Sequence, residues 1–193
     1  MLRYLYDRTL ALAAGPHATK ALCATSFAES SFFPIPPDVV LIPMVLADRR
    51  RWAFFALLCT VTSVLGGIFG YFIGMLAFEQ IAKPILDVYG YTAKIDEFIA
   101  SFNRYGWWIV FIAGLTPFPY KVITIASGAA GLSFPVFMIA SVVSRGLRFF
   151  VVAGLLYLFG PPIRDFVEKR LALVFTVFVA LVIAGFAVAR FAL

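Results

Sequence analysis

Pro34-Ile35-Pro36-Pro37-Asp38-Val39-Val40-Leu41-Ile42 and Pro117-Phe118-Pro119-Tyr120-Lys121-Val122-Ile123-Thr124-Ile125 share one pattern at a constant offset of 83 residues. The pattern is P-x-P-x-(charge)-V-(V/I)-x-I, and each copy precedes a long apolar run, 52–78 or 134–159. Two prolines two apart remove backbone donors and disfavour a continuous helix. A broken apolar segment too short to span a bilayer is what a re-entrant loop looks like. The shared charge position and β-branched tail make the two copies an internal repeat.

Working outward, the whole chain fits that reading. Of 193 residues, 63% are apolar and 13% charged, and the mean hydropathy is +0.97. Soluble domains run nearer half apolar and a quarter charged. This composition excludes a globular cytosolic enzyme and points to a multi-spanning membrane protein. The net charge of +6 comes with no basic stripe and interleaved aromatics in a soluble module, so nucleic acid is not an expected partner. His17 is the only histidine, which excludes a His-based metal cluster or catalytic triad. Cys23 and Cys59 lack CxxC spacing and zinc-type partners, and they read as inert thiols. No cofactor is expected. With no HExxH and no GxSG, neither is an enzyme.

The expected fold is an all-α integral membrane domain over 1–193: an inverted repeat of re-entrant loop plus transmembrane helix, with an additional C-terminal transmembrane helix. Residues 1–26 read as interfacial helices, 27–78 as the first repeat and 107–160 as the second. Between the repeats, 79–106 is an extracytoplasmic connection. Within it Ile95, Phe98, Ile99 and Phe102 recur at helical spacing, predicting an amphipathic interfacial helix over 92–105. The uncharged run 171–189 predicts the last helix, placed at 171–192.

A re-entrant loop crosses zero times and the helix after it once. The second copy therefore enters from the opposite face, as in transporters that place a site between broken helices at the midplane. Charges agree. With the N-terminus cytoplasmic, Arg3, Arg8, Lys20, Arg49, Arg50, Arg51, Arg164, Lys169 and Arg170 lie inside. The outside connection balances Lys83, Lys94 and Arg104 against Glu79, Asp87, Asp96 and Glu97, a positive-inside distribution.

Five ionisable residues stand in apolar context: Glu29, Asp38, Lys121, Arg145 and Arg148. Each costs on the order of 2.5–3.5 kcal/mol at a helix centre, so they are expected to face the interior and pair. Asp38 and Lys121 hold equivalent repeat positions with opposite sign and are the natural ion pair. Arg145 and Arg148, at i and i+3 on one helix face, form a fork for phosphate oxygens. Lys121, Arg145 and Arg148 are the substrate-binding candidates. Glu29 and Asp38 are candidates for ion pairing or for carrying a proton, since burial favours a protonated carboxyl group. Pro34, Pro36, Pro37, Pro117, Pro119 and Gly128 are the expected loop-shaping residues. Gly66, Gly70 and Gly74 form a small-xxx-small ladder, suited to close helix packing within the chain or in a homodimer.

Phe27-Ala28-Glu29 through Pro43, Gly114-Leu115-Thr116-Pro117-Phe118-Pro119-Tyr120-Lys121 and Ser144-Arg145-Gly146-Leu147-Arg148-Phe149-Phe150 resemble the DedA superfamily. It is also called the SNARE-associated Golgi or VTT-domain family, and the likeness is to its YqaA-like branch. The resemblance implies a bacterial inner-membrane protein with opposed re-entrant loops that moves lipids such as undecaprenyl phosphate or phospholipids, with proton-dependent envelope homeostasis. On the family pattern Glu29 and Asp38 match its acidic pair and Lys121 its second loop base, while its first loop arginine falls on Leu115. The expected function is therefore a flippase or scramblase for a lipid with an anionic phosphate headgroup. The alternative is a proton-coupled exporter of small solutes or an ion-homeostasis protein resting on Glu29 and Asp38.

Overall fold

The computed structural model describes residues 15, 17–32, 36–82, 92–116 and 119–160. The N-terminal residues 1–14, the loop prolines Pro34 and Pro117 and the expected helix over 171–192 lie outside the described residues. Those described are helical, with no strand among them. In order they are α1 (Ala18–Ser31), α2 (Asp38–Ala47), a single 3-10 turn (Arg49–Arg51), α3 (Trp52–Ala77), α4 (Thr92–Leu115) and α5 (Tyr120–Ala129), then α6 (Phe134–Gly160). Among the described residues, two apolar stretches are long enough to cross a membrane, Arg49–Gln80 around α3, and α6.

Local chemistry sets the element ends. Pro37 caps α2 and Pro119 caps α5, positions where a missing N–H costs no helical bond. The α5 end is a Schellman turn. Gly131 adopts φ 61°, its N–H donates to the Gly128 carbonyl (3.1 Å), and the Leu132 N–H donates to Ser127 (3.0 Å). The carbonyls left at this end are also satisfied: Asn103 Nδ2 donates to Ala130 (2.9 Å) and the Tyr71 hydroxyl to Leu132 (2.6 Å).

Helices α3 and α6 run antiparallel. Trp52 stacks on Tyr157 at 5.7 Å, Ser63 meets Arg145, and Tyr71 packs on Phe134 at 5.5 Å. Beside them, α1 follows α3 in parallel, with Ser26 bonded to the Cys59 carbonyl and Ser31 to that of Gly66. Near the Trp52 end, Leu22, Leu41, Val45, Phe55, Ala56 and Phe149 form one core. Near the Tyr71 end, Val110, Tyr120, Leu132 and Phe137 belong to another. The outer faces of α3 and α6 stay apolar and exposed, with Leu57, Val61 and Leu65 on one and Leu147, Val151 and Leu155 on the other.

Several local expectations change. The helix that starts at Thr92 does not stop near Tyr105; it runs to Leu115, because no breaker intervenes before Thr116-Pro117. Gly106 does not interrupt it, and a side chain there would collide with Leu132. Residues on both sides of position 26 belong to α1, whose Leu22 is fully buried. Gly128, expected to shape a loop, lies inside α5, and the turn belongs to Gly131. What Gly128 provides is proximity, since a Cβ there would overlap the Tyr71 carbonyl of α3.

The glycine ladder works the same way. A Cβ on Gly66 would strike the Phe27 backbone in α1, and one on Gly74 the Ile125 backbone in α5. This face of α3 is occupied by the chain's own helices, which take both sides of the close packing that small residues allow.

Gly128→Ala is expected to push α3 and α5 apart and to cost about 1–3 kcal/mol, the usual range for overpacking. Gly146→Ala is the control, since its Cβ would sit 3.7 Å from Thr60 Cγ2 in ordinary contact. Thermal unfolding in detergent should fall by several degrees for the first and hardly move for the second.

Candidate functional site

The five charges expected inside the apolar region resolve into two ion pairs and a lysine. Arg145 Nη2 donates to Glu29 Oε2 at 2.6 Å, with side chains 0% and 11% exposed. Arg148 Nη2 donates to Asp38 Oδ2 at 2.6 Å, with exposures of 15% and 16%. Asp38 therefore pairs with Arg148 and not with Lys121. The half-buried Lys121 side chain makes no ion pair among the described residues. The two guanidiniums do not form a joint fork, because each is engaged by its own carboxylate.

Arg145 sits near the middle of α6, where an isolated charge is costly. Its Nε donates to Ser63 Oγ at 2.6 Å. The Ser63 and Ser30 hydroxyls lie 2.7 Å apart, and Ser30 donates to Glu29 Oε2 at 3.2 Å. Glu29, Arg145, Ser63 and Ser30 thus close a hydrogen-bonded ring joining α1, α3 and α6. Inside a low dielectric such a ring is stronger than its separate bonds. The Tyr120 and Phe149 rings flank the guanidinium at 4.7 and 4.8 Å, adding cation–π attraction in a dry setting. Tyr120 is held in turn by Ser141 on α6, 2.5 Å from its hydroxyl.

The second pair closes the two broken segments over α6. Asp38 opens α2, where a carboxylate is favoured by the helix dipole. Arg148 Nη1 donates to the Thr116 carbonyl at 3.0 Å, just past α4. One arginine therefore ties the start of α2 to the end of α4. At these two pairs, two polar atoms among the described residues are buried without a partner, Arg145 Nη1 and Asp38 Oδ1. Buried polar groups of this kind are uncommon, and an ordered water is enough to satisfy one.

Pro36 and Pro37 accept the first helical N–H bonds of α2, and Pro119 the first of α5. Sequence reasoning missed Ser30, Ser63 and Tyr120. Two serines in an apolar run are a weak signal, and Tyr120 was read as an unmatched repeat position. Among the described residues no three His, Cys, Asp or Glu side chains gather as a metal-ligand set.

A model of the VTT domain matches residues 35–158, from the first broken segment to the end of α6. The chain belongs to the VTT-domain, or DedA, family. Its relatives include an uncharacterized protein of Haemophilus influenzae, 40% identical over 78% of each chain. Another is an uncharacterized protein of Histophilus somni, 36% identical over 78% of each chain. An uncharacterized protein of Methanocaldococcus jannaschii is 27% identical over 63% of this chain and 73% of its own. No solved structure matches. VTT-domain membership points to a membrane protein with a transporter-like role, and the two membrane-length helices agree.

Within this VTT domain, Arg145→Met should cost about 3–5 kcal/mol, because it strands the Glu29 carboxylate. Glu29→Gln combined with Arg145→Met should be milder than Arg145→Met alone, and Lys121→Ala should leave stability nearly unchanged. A double-mutant cycle on thermal unfolding in detergent checks all three.

Proposed function

We propose that the chain is an inner-membrane lipid transporter, a flippase or scramblase, for a phosphate-headed lipid such as a polyprenyl phosphate or a phospholipid. The observation that carries this reading is the charge arrangement near the middle of the membrane-length helix α6. Two arginines are matched by two carboxylates, and Lys121, which follows the Tyr120 that covers Arg145, makes no ion pair among the described residues. The N-terminal ends of α2 and α5, positive in their dipoles, begin at Asp38 and Tyr120 in the same region. An anion is the missing charge.

In this reading α1–α2 and α4–α5 are re-entrant hairpins that enter from opposite faces and meet at their broken tips. Support comes from the packing. Helices α2 and α5 are both ten residues long, and α3 and α6 are antiparallel. Ser63 and Arg145, each eleven residues past the first residue of its helix, bond to each other. Residues of an inverted repeat touch their own equivalents only near the symmetry axis. A phosphate headgroup arriving at the tips competes with Asp38 for Arg148 and is held by Lys121, while its acyl tails stay in the bilayer. The N-terminus is cytoplasmic, with the Arg49–Arg51 turn on the same side.

A second reading, a proton-coupled exporter of small solutes, draws on the hydroxyl ring around Glu29. It is distinguished by Asp38→Asn, which would abolish pH-gradient-driven transport without altering lipid distribution.

Proteoliposomes carrying a headgroup-labelled phosphate lipid test the leading reading. Wild type should flip the label, and Lys121→Ala and Arg148→Ala should slow it by about tenfold or more, since each good charge-assisted contact is worth roughly 1.5–3 kcal/mol. Equal rates in all three, no faster than protein-free liposomes, would overturn it.

A further inference from the structure

A second cluster of arginines lies far from the site described above, at the end where α3 begins and α6 finishes. Arg49, Arg50 and Arg51 form the 3-10 turn that leads into α3. Among the described residues none of the three makes an ion pair, although Asp48 directly precedes them. Arg50 and Arg51 are exposed. Arg51 lies over the Phe54 and Phe55 rings at 4.8 and 5.3 Å. Arg49 lies over the Tyr157 ring at 5.7 Å and against Gly160, the last residue of α6. Its Nε is buried and has no hydrogen-bond partner.

Three features converge on one occupant. Among the described residues no carboxylate pairs with these cations, and the Arg49 Nε has no hydrogen-bond partner there. Trp52 and Tyr157 stack beside the arginines, the aromatic pairing found where a helix leaves the hydrocarbon for the headgroup layer. Below the cluster Phe54, Leu57, Val61 and Leu65 run down the exposed face of α3, a continuous apolar track. Charge at the headgroup level and an apolar track beneath it describe a single amphiphile.

We infer that the Arg49–Arg51 turn, with Trp52 and Tyr157, is a binding site for the phosphodiester headgroup of an anionic phospholipid. This lipid stays bound at the protein's edge and is distinct from any molecule moved past Arg145 and Arg148. Its phosphate accepts from Arg49 Nε and the arginine forks, and one acyl chain lies along α3.

The test uses the full chain purified in mild detergent and exposed to equal amounts of phosphatidylglycerol and phosphatidylcholine. Retained lipid is read by native mass spectrometry. Wild type should retain phosphatidylglycerol preferentially. Arg50→Gln with Arg51→Gln, both exposed and outside the core, should cut that preference by about tenfold, since each surface cation contributes a severalfold factor. Lys94→Gln with Arg104→Gln removes the same charge elsewhere and should leave it unchanged. Arg50→Lys with Arg51→Lys should keep most of it, and the wild-type preference should fall as salt rises. Inorganic phosphate at matched concentration should not displace the lipid. Equal retention of the two lipids by wild type, an unaltered preference in the glutamine double variant, or displacement by inorganic phosphate would each overturn the inference.

Discussion

The structure depends on one constraint: a guanidinium in the middle of an apolar helix must be satisfied by the protein itself. Arg145 has no exposed surface, and in a low-dielectric interior its charge is tolerated only with close counter-charge and hydrogen bonds. The requirement explains why α1 carries Glu29 and Ser30 on the side facing α3, and why α3 carries Ser63 at the matching level. It also explains the tyrosine that opens α5, whose ring covers the guanidinium. Four of the six helices are positioned by contact with this residue or with its direct partners.

Satisfying Arg145 demands that helices approach more closely than ordinary side chains permit. Between lipid-exposed helices there is little hydrophobic drive, so contact must come from packing and polar bonds. The glycines of α3 and Gly128 of α5 supply the proximity. Thr124 then reaches across from α5 to donate to the Ser30 carbonyl at 3.0 Å, beside the close approach at Gly70. Small residues and buried polar bonds are two halves of one arrangement, and neither is useful alone.

Much of this was legible in the chain. Asp38, Lys121, Arg145 and Arg148 stood out because charge in an apolar run is costly, and the proline pairs marked where helices must break. The pairing was not legible. Asp38 and Lys121 are equivalent in the proline alignment, but α2 begins at Asp38 while α5 begins at Tyr120. That single-residue difference rotates a side chain by about 100° on a helix, and Arg148 meets Asp38 instead. Equivalence in sequence therefore did not become contact in space. The serine ring was hidden for a different reason: a serine in an apolar helix has no signature until its partner's position is known. The length of α4 was missed because polar residues at its start suggested a separate surface helix, although nothing in the backbone chemistry stops it before Thr116.

The two arginine groups use the same side chain under opposite physics. At Arg145 desolvation is complete, so charge is balanced by Glu29 before any ligand arrives. At Arg49–Arg51, on the lipid-site inference, headgroups would supply the balance, and no carboxylate among the described residues pairs with them. Between these limits lie Arg148 and Asp38, partly exposed and paired, with one Asp38 oxygen left without a donor. A fully buried pair is too costly to break for transport, and a fully solvated cation is too weakly held to select a ligand. On the proposed lipid-transporter reading, the intermediate pair is where an incoming phosphate would exchange partners at the smallest cost, with Arg148 as the working end of the site and Arg145 as its scaffold.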